Sequence, residues 1–240
     1  MYPNEPSRRS FFRFGYGALG LAGSLNLLSA NAVEGKKTNL TPLQALEKLK
    51  KGQADFLADK PSLKSTRDSD RRLKIARGQL PFAVLVGCSD SRVAPEVLFH
   101  TGLGELFIVR NAGNTIDTVA LGSIQYAVQV LGVPLILVLG HERCGAVEAA
   151  VSVVEKNTIY PGSIGQMIEP IIPAVLKAKA QGGPKGDALV EASVRENVRR
   201  TVERLRTAEP AMMSPIKAGK LLVVGARYDL DDGKVDFFMQ

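Results

Sequence analysis

Four short, almost uninterrupted apolar runs constrain this chain more than any other feature: residues 81–86, 106–109, 135–139 and 221–224. Each is rich in Val, Leu or Ile and too short to be a helix of ordinary length. A strand that is apolar at nearly every position is buried on both faces rather than half-exposed. Helical patterns separate the runs, at about 93–99, at 115–130 and through a long region from 144 to 206. Strands alternating with helices in this way predict a single α/β domain with a mostly parallel central sheet and helices on both faces. A fifth run, 234–238, alternates in polarity and follows the turn Asp232-Gly233, which suits an antiparallel edge strand. Ahead of all five, Leu43, Leu46, Leu49, Phe56 and Leu57 recur near a 3.6-residue period. Thr41 can cap that helix and Pro42 fits its first turn, so an N-terminal helical arm is predicted over 41–57. Residues 58–72 are polar, with Pro61 and clusters of Ser, Asp and Arg, and predict a loop.

The first 32 residues carry a different signal. Ser7-Arg8-Arg9-Ser10-Phe11-Phe12-Arg13 precedes a weakly apolar, glycine-rich run, and Ser29-Ala30-Asn31-Ala32 offers small residues at the positions a signal peptidase prefers. The pattern resembles a twin-arginine signal peptide. The expectation is that 1–32 is removed and that 33–240 is exported, already folded, by the twin-arginine translocase to the periplasm. The alternative is an uncleaved anchor; the apolar run is short for a span and is interrupted by Gly15, Gly17, Gly20, Gly23 and Asn26. The formal net charge is +7, of which Arg8, Arg9 and Arg13 against Glu5 place +2 in this segment. The remaining Lys and Arg are spread along helical stretches beside Glu196 and Glu203, as on a solvated face. No basic run is interleaved with aromatics, so no nucleic-acid partner is expected.

The chain has two cysteines, Cys88 and Cys144. Alone they could form a disulfide, ligate a metal or sit inert in a core. Their setting narrows the choice. The first strand run ends Gly87-Cys88-Ser89-Asp90-Ser91-Arg92, and the third ends Gly140-His141-Glu142-Arg143-Cys144. In a parallel sheet both ends lie on one edge, where ligands bind. Cys88, His141 and Cys144 can therefore converge. Two thiolates and one imidazole suit a zinc ion with an open fourth position for water. Asp90 and Arg92 can pair beside it, keeping the Asp90 carboxylate ionised and able to orient that water. The one other histidine, His100, lies in a Gly-rich turn and has either a local structural role or a part in proton relay.

Taken together, these motifs resemble the paired signature of the β-class carbonic anhydrases. Residues 105–114 and 225–229 are similar to further segments of that family, and the likeness runs over roughly 40–240. The resemblance implies one Zn2+ per chain on Cys88, His141 and Cys144, a catalytic pair Asp90–Arg92, carbon dioxide and bicarbonate as substrates, and a homodimer or homotetramer with the 41–57 helix lying across a partner subunit. Some members bring the residue matching Asp90 onto zinc in an inactive closed state, and these carry Trp three positions before the first cysteine. Leu85 stands there in this chain, while Arg110 and Tyr228 remain; an open site with a bound water follows. Two other readings are carried beside hydration: hydrolysis of carbon disulfide or carbonyl sulfide on the same fold, and a non-catalytic zinc-binding interaction protein. A thiol redox role lacks the Cys-x-x-Cys pair it would need.

Overall fold

A computed structural model describes residues 37–61, 66–207 and 210–239. The predicted signal segment 1–32 lies outside them. In chain order the elements are α1 (Pro42–Leu57), α2 (Ser69–Ile75), β1 (Ala83–Gly87), α3 (Pro95–Leu98), β2 (Leu106–Arg110), α4 (Thr118–Gln129), β3 (Leu135–His141), α5 (Gly145–Lys156), α6 (Gly162–Ile168), α7 (Ile172–Ala180), α8 (Asp187–Thr207), α9 (Pro210–Lys217), β4 (Leu222–Tyr228) and β5 (Val235–Met239).

The five strands form one sheet in the order β2-β1-β3-β4-β5. All neighbouring pairs are parallel except β4 with β5, which is antiparallel. The predicted α/β architecture, including its edge strand, is thus the observed one. Every residue of β1 and of β3 is buried, as their unbroken apolar character requires. Successive side chains point to opposite faces. Leu85, Leu137 and Leu139 pack with Leu46 and Leu49 of α1 and with Leu98 and Phe99. Val84, Val86, Ile136 and Val138 pack on the other face with Ile124 of α4, Val198 and Val202 of α8 and Met212 of α9.

The chain leaves β1 for β2 on one side, then returns past β1 to place β3 on the other. The carboxyl ends of β1 and β3 therefore flank a switch point, the place where open α/β sheets hold ligands. Gly87 pairs with Leu139 in register, which brings the residues after both strands side by side. Gly140, one residue before His141, lets α8 approach closely: a Cβ there would meet Val198 Cγ2 at 2.7 Å and Val194 Cγ1 at 3.0 Å.

The α1 helix starts with a capping box, Thr41 accepting from the Gln44 N–H while the Gln44 side chain accepts from the Thr41 N–H. It packs its apolar stripe on this chain's own sheet, and its Gln53 donates to the Gly233 carbonyl at 3.0 Å. Within the stretch predicted as loop, residues 69–72 instead begin α2. That helix buries none of its residues, so no apolar period announces it. It forms because Asp68 accepts from the Arg71 N–H and because Arg71 donates to the Leu103 carbonyl at 2.9 Å. The β4 strand runs four residues beyond the predicted 221–224, through Gly225, Ala226, Arg227 and Tyr228.

Candidate metal centre

Cys88 leaves the end of β1, His141 is the last residue of β3, and Cys144 is the N-cap of α5. The structure brings all three together. Their donor atoms lie within 4.8 Å of one another, and all three residues are buried. The two sulfurs are 3.9 Å apart and are not bonded. Two thiolates on a tetrahedral zinc at about 2.3 Å stand about 3.8 Å apart, so the spacing is already that of a metal site.

His141 is oriented for the same task. Its Nδ1 lies 2.9 Å from the Glu142 carbonyl. A proton on Nδ1 satisfies that carbonyl and leaves the Nε2 lone pair free, the usual arrangement of a metal-binding histidine. His141 Nε2 is buried and has no hydrogen-bond partner. An orphaned buried imidazole nitrogen costs about 1–3 kcal/mol, and a metal ion is the group that would satisfy it.

The thiol pair is electrostatically prepared. Hydrogen bonding between the two sulfurs, chiefly, and the N–H groups of Gly113 and Asp90 hold the Cys88 thiol well below the usual thiol range, against the opposing effect of burial. Cys144 is pushed up by that same hydrogen bond, by burial and by the Cys88 charge. A metal ion held by both sulfurs would take both as thiolates in place of that hydrogen bond. The Cys144 sulfur also faces the first turn of α5, where the N–H groups of Ala146 and Val147 favour the thiolate.

Asp90 and Arg92 form the predicted pair. Arg92 donates from Nε to Asp90 Oδ1 at 3.0 Å and from Nη2 to Oδ2 at 2.7 Å, and its N–H donates to Oδ1 at 2.9 Å. The Arg92 hydrogen bonds, chiefly, hold the Asp90 carboxyl far below the usual carboxylate range. Asp90 Oδ2 sits 3.9 Å from His141 Nε2, next to the metal position.

Other supports take roles that the sequence leaves unspecified: it shows Arg110 only as a residue kept beside the site, and Gly113 with Asn114 only as a tight turn whose backbone could border the pocket. Arg110 ends β2 opposite Gly87, and it donates from Nε to the Cys88 carbonyl at 2.7 Å and from Nη2 to the Asp90 carbonyl at 2.6 Å. It fixes the loop that carries both residues. A charge closing an apolar strand beside the first motif was the available signal. Gly113 donates its N–H to Cys88 Sγ at 3.3 Å and accepts at its carbonyl from Asn197 Nδ2 at 2.7 Å. Its φ of 72° is left-handed, and a Cβ would sit 2.6 Å from Ile171 Cδ1, so only glycine brings this N–H to the sulfur. Asn197 is a buried polar residue within the apolar stripe of α8. His100 closes α3 with φ 49° and is not among the gathered donors.

Fold and site together define a thiolate–imidazole zinc protein built at the switch point of a parallel sheet. The sequence profile described as carbonic anhydrase matches residues 83–235. The chain is 43% identical over 196 residues to carbonic anhydrase 2 of Mycobacterium tuberculosis, covering 82% of this chain and 92% of that one. It is 41% identical over 198 residues to a carbonic anhydrase of Mycolicibacterium smegmatis, covering 82% and 94%. Among solved structures, the Coccomyxa β-carbonic anhydrase in complex with acetazolamide superposes with a TM-score of 0.64 at 29% identity, covering 85% of this chain and 87% of that one. This chain belongs to the β-class carbonic anhydrase family. The family is zinc-dependent, and the donor set described above fits that metal.

Proposed function

We propose that this protein catalyses the reversible hydration of carbon dioxide to bicarbonate and a proton, with zinc on Cys88, His141 and Cys144 and with Asp90 and Arg92 as the catalytic pair. The observation that carries the reading is the Asp90–Arg92 pair set against the metal position. A scaffold that only bound zinc would need the three ligands and not an oriented carboxylate beside them.

Zinc held by Cys88, His141 and Cys144 would supply Lewis-acid chemistry, lowering the pKa of a water beside it. The chain's own residues do the rest. Asp90 stays ionised across the neutral range, because Arg92 holds its pKa so low. It therefore accepts a hydrogen bond and does not serve as the general base. With both oxygens fixed by Arg92, its remaining lone pair would accept a hydrogen bond from a water at the metal position along a fixed direction, and so would orient that water. The same two bonds would hold Asp90 away from a bound metal, which supports an open site. Arg110 holds the carbonyls of Cys88 and Asp90 so that metal ligand and carboxylate keep a fixed separation.

The test is stopped-flow carbon dioxide hydration at about pH 7 and about pH 8.5, with zinc measured on the same sample. Hydration with about one zinc per chain is the expected result, and a steep loss at the lower pH would restore the closed state. Full zinc without hydration at either pH overturns the assignment and leaves carbon disulfide or carbonyl sulfide hydrolysis, or a binding role.

The same proposal places the protein in the periplasm as an oligomer. Support for export comes from Arg8-Arg9, the weakly apolar run and the small residues before Val33. Replacing Arg8 and Arg9 together by Lys is expected to leave the unprocessed chain in the cytoplasm, seen by fractionation; wild-type-like export of the variant removes the translocase from the account. Support for a homodimer or homotetramer comes from the half-buried edge strand β2 and from Val119 and Tyr126 on the helix that follows it, 77% and 46% exposed. An unprotected apolar edge of this kind calls for a partner. Light scattering that gives a monomer mass would refute it.

A further inference from the structure

The turn that carries two of the three metal ligands contains a backbone conformation that side chains rarely adopt. Arg143, between His141 and Cys144, has φ 48°. The left-handed region is unfavourable for any residue with a Cβ, so the surroundings must hold it. The Arg143 guanidinium donates from Nη1 to Asp231 Oδ2 at 2.9 Å and from Nη2 to Asp231 Oδ1 at 2.6 Å. It also lies 3.2 Å from Glu142 Oε1. Asp231 is itself fixed, its N–H donating to Asp229 Oδ1 at 2.9 Å, while Asp229 accepts from Arg227 Nη1 at 2.6 Å. The Leu230 N–H donates to Glu142 Oε2 at 3.1 Å. The β4–β5 connection thus grips the metal turn from outside.

The grip reaches the catalytic pair as well, since the Arg143 carbonyl accepts from Arg92 Nη2 at 3.3 Å. A lone exposed ion pair contributes little, but a bidentate arginine–carboxylate pair within a network is the exception. Glu142, Asp229 and Asp231 gather closely enough for a second cation. Each already faces a guanidinium, Glu142 and Asp229 that of Arg227 and Asp231 that of Arg143, so they serve this network instead.

We infer that Asp231 is a positioning residue: by clamping Arg143 in the left-handed conformation, it sets how Cys144 faces the metal and how the Arg143 carbonyl steadies Arg92. The activity half of this inference rests on the proposed hydration reaction; the metal half does not. The full zinc-loaded protein and its Asp231→Ala variant are compared for the rate of zinc release to a chromogenic chelator, and for kcat and KM. Release about tenfold faster, and a lower kcat at unchanged KM, are expected. Glycine adopts φ 48° without strain, so adding Arg143→Gly to Asp231→Ala is expected to bring release back toward the parent rate. A purely structural Asp231 would lower the melting temperature without changing release, and glycine would not rescue it. Parent-like release in Asp231→Ala, or no rescue by glycine, overturns the inference. If the parent itself fails to hydrate carbon dioxide, the functional reading falls while the zinc-release comparison still decides the role of Asp231.

Discussion

Replacing His141 by Ala is expected to strip the protein of zinc and to cut carbon dioxide hydration by at least about a thousandfold, since the Lewis-acid contribution is worth several kcal/mol. The expectation follows from how the site is closed. His141 is fully buried, its Nδ1 is engaged by the Glu142 carbonyl and its Nε2 meets no protein partner. No other histidine is among the gathered donors, so nothing can replace it. Two sulfurs 3.9 Å apart remain, and two ligands do not retain zinc against dilution. The buried side chain also leaves a void, and truncations of this size in a core commonly cost about 2–5 kcal/mol. Atomic absorption on the purified variant gives the metal content, and stopped-flow gives the rate. A variant that keeps a full complement of zinc would place the metal elsewhere.

Asp90→Asn is expected to behave differently: zinc retained, fold retained, and kcat lowered by about a hundredfold. The amide is almost the same size, so packing is untouched. It offers one carbonyl oxygen where the carboxylate offers two acceptors, so it cannot satisfy both the Nε and Nη2 donors of Arg92 and still accept a hydrogen bond from the water. The loss should fall on kcat more than on KM, because the hydrogen bond aims a nucleophile and does not hold substrate. As for pH, a carboxylate with a depressed pKa makes its contribution above the unfolded value of about 3.9 and loses it only as pH falls through the lower folded value. Protonation of Asp90 therefore cannot account for any activity lost near neutrality. An Asp90→Asn variant with unchanged kcat would remove Asp90 from the reaction.

Most of the fold and the central residues of the site were legible in the sequence for one physical reason. Strands buried on both faces leave a continuous apolar signature, and in a parallel sheet that signature also fixes which strand ends share an edge. Cys88 and His141 could thus be placed together although they lie far apart in the chain. The α2 helix was not legible, because a helix that buries nothing has no period to display; Asp68 and Arg71 make it. The extension of β4 was hidden by Gly225 and Arg227, whose pairing with β3 is decided by tertiary neighbours and not by propensity. The supports Arg110, Gly113, Asn197 and Asp231 share a different obstacle. Each acts through a backbone group or a side chain brought from a distant segment, and only the folded chain supplies the partner.

The two sulfurs come from segments 56 positions apart, joined through the whole of α3, β2, α4 and β3. An ion held by both would be a cross-link, closing a large covalent–coordinate ring much as a disulfide does. In chain-entropy terms, tying off a loop of that length removes about 4 kcal/mol of freedom from the unfolded state. Unlike a disulfide, the tie needs no oxidant and can be undone by a chelator. It can also form only once the carboxyl ends of β1 and β3 lie side by side, so a chain that carries the ion has already made one of the long-range pairings of its sheet.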